Sequence, residues 1–222
     1  MYNKRYSKIN VTSTLLRINE SLKKTYMLLS ATILFSATAC LIGINLHVKP
    51  INGIILVCLN IALLILIHYL KNNTLRLSLV FAFTGINGYY LAPIINSMTN
   101  THNGTEIIML SLTLTGLIFF TLSIYALTTK RNLTNLQGFL TIGFFVIMAL
   151  FIINFFINMT ILSLILSGII ITFSACCILY RTNDIVNNND SDYISATISL
   201  YLDIYNIFIN LLLILRQIVS KD

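Results

Sequence analysis

The chain has 222 residues, of which 57 % are hydrophobic and only 9 % charged, with a mean hydropathy of +0.86. That balance excludes a soluble globular fold. Uncharged apolar runs of about twenty residues also exclude a β-barrel, whose strands alternate polar and apolar over about ten. The net charge of +7, from 14 basic and 7 acidic residues, reads as a basic cytoplasmic face against anionic lipid rather than as a nucleic-acid surface. The expected class is an all-α integral membrane protein with seven transmembrane helices.

Residues 1–24 form a basic tail, with Lys4, Arg5, Lys8, Arg17, Lys23 and Lys24 against a single acid, Glu20. Its Ser, Asn and Lys content predicts a mobile cytoplasmic arm. The remaining residues, 25–222, are expected to be one seven-helix domain, with spans at about 25–46, 51–70, 77–97, 105–128, 135–157, 160–180 and 193–215. In the first span Ala37-Thr38-Ala39-Cys40 faintly resembles a lipoprotein cleavage site. The apolar run continues past Cys40, so a retained anchor is the better reading. Pro50 separates the first two spans, and Lys71-Asn72-Asn73 turns the chain into the third. In the third, Gly85 and Gly88 permit close helix approach, and Pro93 frees a backbone carbonyl four residues earlier. We read this as a notch and kink rather than a binding site. The connection at 181–192 is polar, with Asn187-Asn188-Asn189 and three aspartates.

The seventh span carries the one informative polar pattern. Ser195, Ser199, Asp203, Asn206 and Asn210 recur at steps of three and four, so they share one helical face. Asp203 lies about 15 Å along the helix from Tyr193, close to the midplane of a layer about 30 Å thick. An ionised carboxylate facing lipid there costs at least a few kcal/mol. The stripe must therefore face other helices or water, which makes the seventh helix the central one, with six around it. Basic residues set the orientation. With the N-terminus cytoplasmic, that side holds six in the tail plus Lys71, Arg76, Lys130, Arg131 and Arg181. The other side holds Lys49, Arg216 and Lys221, so the balance is 11 against 3.

Asp203 is the only carboxylate well inside a span. Two readings stand: it pins helices together with Asn206, Ser199 and Tyr hydroxyls, or it titrates and gates a cation or proton path. Arg181, at the inner end of the sixth span, is either its salt-bridge partner or a headgroup anchor. Catalysis is not expected. An aspartyl protease needs a second intramembrane acid. His47 and His102 sit in outer connections, with His68 near the inner end of the second span, and no H-E-x-x-H, P-loop or G-x-G-x-x-G occurs. Cys40, Cys58, Cys176 and Cys177 all fall in apolar spans and read as small hydrophobes, and no cofactor or metal is expected.

Tyr180, Thr182, Ile185, Tyr193, Ala196 and Leu200-Tyr201-Leu202-Asp203 with Asn206 and Phe208 resemble the signature region of the Bax inhibitor-1 (transmembrane Bax inhibitor motif) family. So do Phe81-Ala82-Phe83-Thr84-Gly85, Gly88-Tyr89, Pro93, the run from Ala126 to Arg131 and Gly138-Phe139-Leu140. The third-span run and the Leu-Thr-Thr segment look especially like an enterobacterial inner-membrane branch. The resemblance implies a multi-pass inner-membrane protein with six helices around a central seventh. It implies, for that branch, modulation of and degradation by the membrane-embedded AAA protease FtsH. For other members it implies a pH-sensitive calcium leak, through two aspartates that share a proton between the sixth and seventh helices. The second aspartate matches Asp203, whereas the first matches Arg181. That departure exchanges an acid pair for a fixed ion pair and brings the Arg181–Asp203 contact forward.

Overall fold

In hydrocarbon only a helix satisfies a single segment's backbone groups from within, so each apolar run folds as one. The computed structural model describes the backbone of residues 2–49, 53–101, 103–129, 133, 136–157, 159–187 and 192–219, with side chains at 20–49, 53, 55–101, 103–129, 133, 136–157, 159–187 and 192–219. These contain seven helices: α1 (Tyr2–Asn45), α2 (Gly53–Tyr69), α3 (Asn73–Thr99), α4 (Gly104–Thr128), α5 (Leu136–Ile157), α6 (Thr160–Asn187) and α7 (Tyr193–Val219). The expectations placed on Pro50, Ile51, His102, Lys130, Arg131, Asn135, Asn188, Asn189 and Lys221 lie outside the described residues, as do the side chains of the tail before Glu20.

Two boundaries differ from the sequence reading. The first helix begins at Tyr2 rather than near Thr25, so the tail runs unbroken into the first span. No Gly or Pro interrupts residues 2–42, so a helix nucleated in the apolar segment can propagate back through it. The described part of the second apolar helix, Gly53–Tyr69, has 17 residues, or about 25 Å, and the start expected at Ile51 lies outside the described residues. The other six are long and apolar enough to cross a membrane. Finally, α6 passes the expected end at Tyr180 and continues to Asn187, because Thr182, Asn183 and Ile185 are buried against neighbouring helices.

Close approaches fix the arrangement. A Cβ on Gly88 would lie 2.1 Å from the Ser36 carbonyl oxygen, and one on Gly43 would lie 2.6 Å from the Ala92 Cβ. Only glycine lets α1 and α3 meet at this distance, which is the notch expected of the third span. The α3–α4 turn depends on Asn103, whose φ of 59° is left-handed, a conformation Asn tolerates. Leu29, Phe83, Ile178, Ile198, Leu200 and Ile207 form the apolar centre where α1, α3, α6 and α7 meet. Helix α7 packs against α1, α3, α4 and α6, whereas α2 rests mainly on α3 and α5 mainly on α6.

Candidate functional site

The buried acid and its partner come from α7 and α6. Asp203 is buried, and its Oδ2 accepts a hydrogen bond from Arg181 Nε at 3.0 Å. The carboxylate side chain is 8 % exposed and that of Arg181 38 %, so the pair has one dry end and one wetter end. Helix continuation explains how a shallow residue reaches a deep one. Arg181 lies six residues before Asn187, about 9 Å inside the end of α6, and its flexible stem covers the remaining depth. Cys177, one turn earlier on the same face of α6, is a buried free thiol beside this pair. A charge-assisted hydrogen bond of this kind is the stronger sort, and here it joins two neighbouring helices.

The rest of the expected stripe does not converge on Asp203. Ser199 and Asn206 are half-buried on the same face. Asn210 donates to the backbone carbonyl of Asn206 at 2.8 Å. The tyrosine hydroxyls turn away from the acid. Tyr201 shares a 2.8 Å hydrogen bond with Ser36 Oγ and donates to the Thr84 carbonyl at 3.3 Å. Tyr205 donates to the Asn87 carbonyl, also at 3.3 Å. Tyr201 and Tyr205 each lie two residues from Asp203, one before it and one after, so they fall on the opposite side of the helix and face α1 and α3. Helix α7 is thus bonded on both sides, with tyrosines to α1 and α3 and Asp203 to α6.

A second charged cluster was not anticipated. Arg76, counted in the sequence only among the basic residues of the cytoplasmic side, pairs through Nη2 with Asp192 Oδ2. The same nitrogen donates to Ser195 Oγ at 3.2 Å, and Nε donates to the Ile67 carbonyl at 3.1 Å. One guanidinium thereby ties the last turn of α2, the first turn of α3 and the entry to α7. Asp192 also caps α7, since its Oδ1 accepts the Ile194 N–H at 3.2 Å. Burial works to raise the Asp192 pKa, but the hydrogen bonds from Arg76 and Ser195 outweigh it and hold the carboxyl below its usual value. The only sequence signal was D-x-x-S at a helix start, which gives the cap but not the arginine more than a hundred residues upstream.

Further polar contacts bind the shorter α2. Asn60 and Asn87 exchange amide hydrogen bonds at 3.2 and 2.8 Å. His68 stands beside Tyr69 near the end of α2, with ring centroids 6.4 Å apart, and His47 is exposed after α1. Among the described residues no group of three His, Cys, Asp or Glu could hold a metal ion.

Comparison with known proteins gives this architecture a lineage. The family model described as inhibitor of apoptosis-promoting Bax1 matches residues 18–220. A protein of Pseudomonas aeruginosa with no assigned function is 37 % identical over 86 % of this chain and 86 % of its own. The Escherichia coli K12 protein named Modulator of FtsH protease YccA is 36 % identical over 91 % of this chain and 92 % of its own. An uncharacterized membrane protein of Vibrio cholerae is 34 % identical over 93 % of both chains. With a family-model match that runs from residue 18 to residue 220 and relatives of this identity and coverage, the chain belongs to the Bax inhibitor-1 family.

Proposed function

We propose that this chain is a multi-pass inner-membrane protein that modulates a membrane-embedded AAA protease of the FtsH kind through protein contact, without catalysis of its own. The observation that carries this reading is the 36 % identity, over 91 % of the chain, to the protein named as a modulator of FtsH protease. On this reading the N-terminus is cytoplasmic, α2 crosses as a seventh span, and α7 is the central helix. The Arg181–Asp203 bond, with Ser199 and Asn206 beside it, locks α6 to α7. The basic tail that opens α1 is the handle an unfoldase engages from the cytoplasm. Deleting residues 2–20 is expected to slow turnover of the protein in membranes and to reduce the protease that co-purifies with it. Unchanged turnover together with unchanged association overturns the handle.

A second reading, a pH-sensitive cation leak gated by Asp203, has the burial of that carboxylate in its favour. Against it stands the guanidinium of Arg181 in the place of a second acid. Purified protein in liposomes loaded with a calcium dye separates the two. The intact chain is expected to match empty vesicles from pH 6 to 8, and Arg181→Asp to introduce a pH-dependent flux that Asp203→Asn removes. Flux through the intact chain that Asp203→Asn abolishes would establish the leak instead.

A further inference from the structure

Helix α1 meets both α6 and α7 through two consecutive residues. The Tyr26 hydroxyl lies 3.5 Å from Thr182 Oγ1 of α6, and Thr182 directly follows Arg181. On α7, Thr197 Oγ1 donates to the Thr25 carbonyl at 3.3 Å, sharing its proton with the Tyr193 carbonyl of its own helix at 2.7 Å. Thr197 stands six residues before Asp203, about 9 Å nearer the start of α7. One step of α1 therefore touches both helices of the charged pair, close to the bond that joins them.

The packing around this step is close. Thr25, Thr182 and Thr197 are all fully buried. Leu29, one turn on from Thr25, belongs to the apolar centre to which α6 gives Ile178 and Ile185 and α7 gives Ile194 and Ile198. Leu22 and Tyr26 pack against the same centre. The Tyr26 ring also meets Phe119 of α4, with centroids 6.0 Å apart, so a fourth helix fixes where its hydroxyl points. Since lipid tails are as apolar as leucine, apolar contact alone does little to keep α6 and α7 from parting. Directional bonds that reach both of them from a third helix do more.

We propose that Thr25 and Tyr26 form a strap across the seam between α6 and α7, which keeps the seam closed at the Arg181–Asp203 pair and has to lift before that pair opens to water. The strap makes α1 the element that governs access to the charged site. Cys177, a buried free thiol one turn before Arg181, is a built-in gauge of it, reached from water only while the seam is open. The strap goes beyond the protease reading and does not depend on it, because it begins at Thr25, outside the segment 2–20 whose deletion tests the handle.

The test uses the full-length chain in nanodiscs, with Cys40, Cys58 and Cys176 changed to alanine so that a water-soluble maleimide reads Cys177 alone. Tyr26→Phe keeps the ring on Phe119 and loses the hydroxyl, and it should speed labelling about threefold, the size of one interhelical hydrogen bond in a membrane. Thr182→Val should do the same. The two together should do no more than either, because they break a single bond. Adding Thr197→Val to Tyr26→Phe should speed labelling about threefold again. Ser163→Ala removes a bond from α6 to Asn154 of α5, away from the seam, and should leave the rate unchanged. Labelling indifferent to Tyr26→Phe and Thr182→Val overturns the strap. So do effects of those two that simply add, and so does an equal acceleration by Ser163→Ala, which would mean that α6 is loosened by any lost bond.

Discussion

Helices α5 and α7 are both candidate spans, of 22 and 27 residues, yet one residue of the first is buried and ten of the second. In α5 only Leu140 is buried, while Phe139, Phe145, Phe151 and Phe156 all point outward. In α7 the buried set includes Thr197, Tyr201, Asp203 and Asn210. The more apolar helix is the less buried one, the reverse of a soluble protein, because lipid rather than water covers the outside. Apolar burial therefore supplies little of the force that gathers these helices, since lipid tails are as apolar as leucine. Close contact through glycine and a few directional bonds must supply it. Asp203, Tyr201 and Tyr205 bond α7 to α6, α1 and α3, whereas α5 is bonded to α6 near its end, where Asn154 accepts from Ser163 at 3.1 Å.

If that contrast is right, the largest effect comes from unpairing Asp203. Arg181→Leu leaves a carboxylate at a site where its side chain is 8 % exposed. Loss of one partner of a buried pair costs about 3–5 kcal/mol. Asp203→Leu should cost clearly less, because the longer Arg181, 38 % exposed, can withdraw toward headgroups. The double change to leucine removes both charges and should recover most of the loss. Equilibrium unfolding of the four proteins in bilayers reads these differences directly. Equal effects of the two single changes would mean that the pair is solvated and that α7 is held by something else.

The next effect belongs to α5. Phe145 stands near its middle and is 67 % exposed. Phe145→Leu should change stability by less than about 0.5 kcal/mol, as at any site without a specific contact. Phe145→Lys should cost about 2.5–3.5 kcal/mol at the helix centre, seen as a fall in the membrane-inserted fraction. A leucine variant as damaging as the lysine one would place a protein partner, not lipid, against this face.

Much of this contrast is legible in the sequence, because composition and a period of three to four are local properties. The apolar runs gave the helices, and the stripe of α7 singled out Asp203. Tertiary contact was not legible. The polar run after Tyr180 looked like a connection, yet Thr182 and Asn183 are buried and α6 continues, which carries Arg181 inward to Asp203. The stripe itself looked like one surface and divides into separate uses. Ser195 belongs to the Arg76 cluster, Asp203 to Arg181, and Asn210 to its own helix. Arg76 counted only as one more positive charge, since nothing local indicates that its partners lie in α2 and at the start of α7.

The smallest effect tests the wet end of α7, where the same helix meets water. Asp192 is held by Arg76 and Ser195 below the usual carboxylate pKa, against the opposing pull of burial. A group whose folded pKa is depressed adds stability above its unfolded pKa, about 3.9 for aspartate. That contribution fades as pH falls through the folded value. The bond should therefore be constant from pH 5 to 8 and should weaken only below about pH 4. Its size is modest, on the order of 1 kcal/mol, because the Asp192 side chain is 39 % exposed and water screens it. Asp192→Asn keeps an oxygen able to cap α7 while losing the charge, so it should lower the unfolding midpoint slightly at pH 7 and flatten the acid decline. Backbone hydrogen exchange at Ile194 and Ser195 is the finer gauge, and it should quicken in the asparagine protein at pH 7. Exchange that quickens equally along the whole of α7 would show that the Arg76 cluster, rather than the Arg181–Asp203 bond, governs how firmly this helix is seated.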